Sequence, residues 1–232
     1  LIEVQGVPTL YNYQPNLFAK FKKHYPFLEE TTPFFNGLSP ENYLNILKEV
    51  ICNNHPAENV ILLEIEPEKQ NTKIDFLYCN RDLGIPIVCV TAIQKKGKQL
   101  FYTNVEGEEI LVKRIYNRVI FDELELRKDL KLNFSFSDEL EVEWAGHPNW
   151  FFRISKFILP FLKGKYFIET TLLSDLKVIP VDLENYVLKP LFSFSGSGVV
   201  FHVKKEDIEA VQEKHLYILQ KKVNYIPIVQ SP

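Results

Sequence analysis

The stretch YVLKPLFSFSGSGVVFHV, Tyr186 to Val203, decides how the rest of the chain is read. Pro190 favours an extended conformation at the residue before it, so Lys189 is expected at the end of a strand. Ser195, Gly196, Ser197 and Gly198 then lower the steric barrier to a close backbone approach and can offer successive N–H groups to phosphate oxygens. Lys189 adds a compact positive charge to the same place. A second strand is expected after the glycines. This is not the Walker order, in which the lysine follows the glycines and a helix begins there. The plain alternative is a β-hairpin turned by SGSG, with Lys189 solvated on one edge.

Two further segments give the loop a context. Upstream, RISKFILPFL lies within the run Trp150 to Leu162, whose apolar groups fall almost all round a helix, and it carries Lys156. Downstream, YILQKKVNYIP reads as a strand followed by a hinge. Taken singly, Lys156 is a surface lysine on a mostly buried helix, and Gln220 sits on an ordinary amphipathic strand. Taken in order, the segments resemble the ATP-grasp superfamily. By that resemblance Lys156 is the helix lysine that enters a nucleotide site, and Lys189 with Ser195, Gly196, Ser197 and Gly198 holds phosphates. Gln220 is the side-chain contact to the adenine amine, while Lys221 and Val223 give backbone contacts to the ring.

Further upstream, KRIYNRVIFDEL resembles the Arg-bearing pre-core segment of the glutathionylspermidine-synthase-like branch. Arg114 and Arg118 would suit a substrate carboxylate, against the alternative of a strand with outward charges. The resemblance implies an α/β (α+β) chain, in which a pre-ATP-grasp α/β domain precedes an ATP-grasp-type antiparallel sheet with helices. It implies ATP and Mg²⁺ as cofactors, and a small-molecule carboxylate and an amine or thiol as partners, joined through an acyl phosphate. The family carries its magnesium carboxylates on strands after the adenine hinge. No such cluster occurs before Pro232, and Glu206, Asp207 and Glu209 read as a solvated helix face, so no metal ligand is assigned. A non-catalytic nucleotide-binding or α/β interaction module is the alternative function.

The remainder supports a two-part organisation, with an α/β domain over 1–145 and the nucleotide-binding region over 146–232, divided near the turn Gly146-His147-Pro148-Asn149. Ser39-Pro40 opens a helix with Tyr43, Ile46, Leu47 and Val50 on one face. VILLEIEP (Val60 to Pro67) and IPIVCVTAI (Ile85 to Ile93) are expected as buried strands on either side of a helix that stops at Gly84. Such a strand–helix–strand unit implies a parallel sheet. Glu106-Gly107 suggests a hairpin beyond it.

A net charge of −3 gives no basic footprint for nucleic acid. The odd set Cys52, Cys79 and Cys89 lacks CxxC spacing and fits a reducing compartment, and the five histidines are scattered without metal-site spacing. No apolar run reaches the length of a membrane span, and LIEVQGVPTLYNYQ lacks a basic region followed by an apolar one, so a cytoplasmic protein without membrane partners is expected.

Overall fold

Strand pairing begins at the run VILLE, which forms β1 (Val60–Glu64) and is buried at every position, as a strand with both faces covered must be. The computed structural model describes residues 1–7, 9–193 and 196–224. These fall into two compact units, Val7–Pro148 and Leu1–Gly6 with Asn149–Pro232.

In the first unit α1 (Tyr13–His24), α2 (Pro40–Cys52) and α3 (Lys73–Leu83) precede or follow β1, and β2 (Ile87–Cys89) comes after α3. β3 (Gln94–Lys96), β4 (Gln99–Thr103) and β5 (Glu109–Val112) form an antiparallel sheet in the order β3-β4-β5. The β4–β5 turn is held by the Asn104 carboxamide oxygen, which accepts the N–H groups of Glu106 and Glu108 at 3.1 and 2.8 Å, and by Gly107 at φ 84°. β6 (Arg114–Asn117) and β7 (Glu143–Ala145) complete a wholly parallel sheet of order β2-β1-β6-β7, and the short α4 (Phe121–Leu126) lies between them in sequence. The strand alternation divides two cores. Ile61, Leu63 and Ile115 pack with Leu100, Tyr102 and Val112 of the antiparallel sheet. Val60, Leu62 and Tyr116 pack with Leu47, Ile51, Phe76 and Leu83 of α2 and α3.

The helix opened by Ser39 is where it was expected, with the Ser39 hydroxyl accepting the Asn42 N–H at 3.1 Å. Its buried face differs. Tyr43, Leu47 and Ile51, one turn apart, form the inward row, whereas Ile46 and Val50 are 46% and 61% exposed. The strand expected from Ile85 to Ile93 is regular only over β2, with the Pro86 carbonyl before it accepting the Leu62 N–H at 2.9 Å. Pro86 has no N–H to give the ladder, and a 3₁₀ turn over Val90–Ala92 ends it.

The second unit contains α5 (Trp150–Arg153), β8 (Thr170–Leu172), β9 (Tyr186–Pro190), α6 (Lys205–Ala210) and β10 (Tyr217–Lys221). Its sheet is antiparallel in the order β8-β10-β9. One face carries Leu173, Leu188 and Leu219 against Ile208 of α6. Leu159, Leu191 and Ile218 pack together on the other side, with Val4, Leu162 and Leu172 against them.

Two expectations in this unit are corrected. Trp150 to Leu162 is not one helix: α5 stops at Arg153, the Ser155 hydroxyl accepts the Phe157 N–H at 3.2 Å, and a 3₁₀ helix runs Lys156–Phe161. Pro160 within it cannot donate to an α-helical ladder. The second strand after the glycine loop shrinks to one bridge, in which Leu188 and Val200 exchange both backbone hydrogen bonds, at 3.1 and 2.9 Å. Among the described residues no helix is long and apolar enough to cross a membrane. The architecture as a whole is mixed α/β, with a parallel-sheet unit followed by an antiparallel sheet with helices.

Candidate nucleotide site

Alternation along β9 and β10 sends Leu188 and Leu219 to the α6 side and Lys189 and Gln220 to the opposite face. Thr170 pairs with Gln220 in register and joins them. There the Lys189 ammonium donates to the Gln220 Oε1 at 2.7 Å, and the Gln220 Nε2 donates to the Thr170 hydroxyl at 3.0 Å and to the Ile2 carbonyl at 3.1 Å. All three side chains are buried. Lys156, the first residue of the 3₁₀ helix, is 5% exposed. Its Nζ donates to the carbonyl and hydroxyl of Ser193 at 2.7 and 3.3 Å and lies 3.6 Å from the Glu3 carboxylate.

Burial lowers the pKa of the Lys189 ammonium; Glu3 opposes that shift and the Lys156 charge adds to it. Two buried ammonium groups thus both feel the carboxylate of a partly exposed Glu3, which lies 3.6 Å from the Lys156 ammonium. Buried charge is costly without a counter-charge, so the arrangement favours an added anion.

The glycine loop stands beside this face. Gly196 and Gly198 take left-handed φ values of 75° and 71°, and a Cβ on Gly198 would come within 3.1 Å of the Pro190 ring. Gly196, Ser197 and Gly198 are exposed, and the Val199 N–H closes a turn onto the Gly196 carbonyl at 3.2 Å. Ser195 lies outside the described residues. At the end of β10, Lys221 is exposed: its N–H donates to the Glu169 carbonyl at 3.0 Å and its ammonium pairs with the Glu169 carboxylate at 2.6 Å. Val223 follows the strand and is 39% exposed.

The chain superposes on a glutathione synthetase-like effector from Globodera pallida in its apo form, with a TM-score of 0.54 at 10% sequence identity. The fold is glutathione synthetase-like. The superposition covers 94% of this chain and 54% of the effector, so the chain spans about half the length of that glutathione synthetase-like neighbour. At this identity the likeness is one of fold alone. No family model and no curated protein matches the sequence.

The two arginines nominated for a carboxylate are not brought together. Both belong to the unit Val7–Pro148, at opposite ends of β6 and its exit, and four residues of strand span roughly 13 Å. Arg114 is spent on the carbonyls of Ile51 and Val50, at 2.8 and 3.1 Å, and on Glu143 at 2.7 Å. Arg118 is buried, with its Nη1 3.5 Å from the Val7 carbonyl.

Sequence reasoning missed several participants. Glu3, Thr170 and Ser193 were invisible because nothing in their neighbours marks them; only the fold brings them to the lysines. Glu64 had a signal, a carboxylate ending an otherwise apolar strand. Burial pushes it up to about 8, with the Ile65 N–H and Arg118 opposing. Burial raises the Cys52 thiol and drives that of Cys79 up to about 12, which disfavours the thiolate at both. A cleft of about 430 Å³ in the first unit, lined in part by Phe18, Phe34 and Tyr43, contains none of the nominated residues.

Proposed function

We propose that Lys189, Gln220 and Thr170 on one face of β8, β10 and β9, with Lys156 beside them, bind ATP, and that the chain supplies the nucleotide-binding part of an ATP-dependent ligase joining a small-molecule carboxylate to an amine or thiol. The observation that carries this reading is that two ammonium groups are buried in the same unit, Lys189 bonded to Gln220 on one face of the sheet and Lys156 bonded to Ser193. In this reading the lysines hold the phosphates, and the N–H groups of Gly196, Ser197 and Gly198 add neutral donors. The Gln220 carboxamide faces the adenine amine, with backbone of Lys221 and Val223 toward the ring. ATP supplies the phosphoryl group that activates the carboxylate, and the chain's part is positioning and electrostatic stabilisation.

Among the described residues no group of three or more His, Cys, Asp or Glu is arranged to hold a metal. In this reading Mg²⁺ enters with the triphosphate it neutralises. A second reading, a non-catalytic nucleotide-binding or interaction module, is favoured by one observation: Lys189, Gln220 and Thr170 already satisfy one another, as in a structural polar network.

Isothermal titration with MgATP tests the binding claim. Lys189→Ala and Lys156→Ala are each expected to weaken binding at least ten-fold, provided their unfolding transitions remain cooperative. Unchanged affinity in both variants contradicts the reading. Release of ADP and phosphate in the presence of acid and amine pairs separates the ligase from the binding module.

A further inference from the structure

The polar groups of the candidate site are not empty-handed. The segment Leu1–Gly6 belongs to the same compact unit as the sheet. The Ile2 carbonyl takes a hydrogen bond from the Gln220 amide at 3.1 Å, and Glu3 places its carboxylate 3.6 Å from the Lys156 ammonium. Glu3 is also the group that most strongly counters the lowering of the Lys189 pKa. Val4 packs against the cluster of Leu159, Leu191 and Ile218. Gly6 seats the segment: a Cβ there would lie 2.2 Å from the Trp150 carbonyl oxygen and 2.6 Å from that of Ile154, closer than any side chain tolerates. A hydrogen-bond acceptor therefore lies on the adenine-side amide and a carboxylate on the phosphate-side lysine, from adjacent residues of the same segment.

We infer that Leu1–Gly6 is an internal competitor of the nucleotide, with Glu3 standing in for a phosphate at Lys156 and the Ile2 carbonyl occupying Gln220, so that ATP binds by displacing this segment. The inference rests on the nucleotide-site reading above. Its physical content is a population effect. If the docked segment fills the site most of the time, apparent ATP affinity falls by the fraction of molecules in which it is undocked. The Glu3 carboxylate is about one-third exposed, its side chain at 35%, so the contact is weak enough for a triphosphate to replace it.

Two substitutions separate displacement from simple electrostatics. Glu3→Ala removes the carboxylate; Gly6→Ala keeps every charge and drives the segment off the Trp150 carbonyl. Both are expected to tighten MgATP binding three- to ten-fold by titration, and ATP is expected to speed amide exchange of residues 1–6 in the wild-type chain. Tightening by Glu3→Ala without tightening by Gly6→Ala reduces Glu3 to a repulsive charge and overturns the inference. Weaker binding in both variants makes the segment a wall of the site and also overturns it. If neither variant changes affinity while Lys189→Ala abolishes it, the inference fails and the nucleotide site stands. If no variant and no wild-type protein binds ATP, both fall.

Discussion

Lys189 shows what a single residue can and cannot declare. Its place at the end of a strand followed from Pro190, and the structure has it in β9, next to that proline. That its ammonium would be buried and bonded to Gln220, thirty-one positions away, did not follow, because register between β9 and β10 is set by pairing that no local pattern encodes. Glu64 is the other residue whose chemistry depends on its surroundings. An acid pushed up to about 8 in the folded state, against an ordinary 4.5, keeps its proton folded and loses it unfolded between those values. The folded form then binds more protons, so stability falls as pH rises from about 4.5 to about 8, by up to about 1.4 kcal/mol per pH unit. Glu64→Gln is expected to flatten that slope and to raise the urea midpoint at pH 8. A wild-type stability profile flat across the window counts against a buried, protonated Glu64.

At the scale of elements, the periodic segments were the readable ones. α2 and α3, β1 and the β4–β5 hairpin sit where capping residues, apolar runs and turn residues put them. The misreadings share a cause. The α2 face was misassigned because Ile46 and Val50 are apolar yet point outward, and composition alone cannot rank two overlapping stripes. The Trp150–Leu162 helix broke because Ser155 and Pro160 are stronger local signals than its all-round apolarity. Leu1–Gly6 carries no helical or strand periodicity, and its contacts lie far off in sequence, so its position is a property of the tertiary fold.

Asp75 on α3 offers an element-level test. Its carboxylate accepts the N–H groups of Leu10, Asn12 and Tyr13 at 3.1, 3.0 and 2.8 Å, fixing the entry to α1. Asp75→Ala leaves these donors unmatched and is expected to cost about 2–4 kcal/mol in urea unfolding. A loss below about 0.5 kcal/mol would show that water replaces the carboxylate without penalty. Gly198→Ala, strained by its left-handed φ of 71° and by Pro190, is expected to cost about 1 kcal/mol and to weaken MgATP binding.

For the whole molecule, the two-unit division has a thermodynamic consequence. Both cores of the first unit, on either side of the β2-β1-β6-β7 sheet, are built from residues within Val7–Pro148. A fragment spanning Val7–Pro148 is expected to unfold cooperatively on its own; a fragment that binds ANS and melts without a transition contradicts this. The mixed α/β architecture, a parallel-sheet unit and then an antiparallel sheet with helices, was legible in outline, while Arg114 and Arg118 do not form a converging pair.

The central claim, that the face of β8, β10 and β9 holds a nucleotide, is tested most directly by an ATP acyl-phosphate probe, which transfers its acyl group to lysines lying against bound phosphates. Peptide mapping is predicted to find Lys156 and Lys189 modified and protected by excess ATP, despite their burial. Modification confined to exposed lysines such as Lys163 and Lys165, and insensitive to ATP, would contradict it.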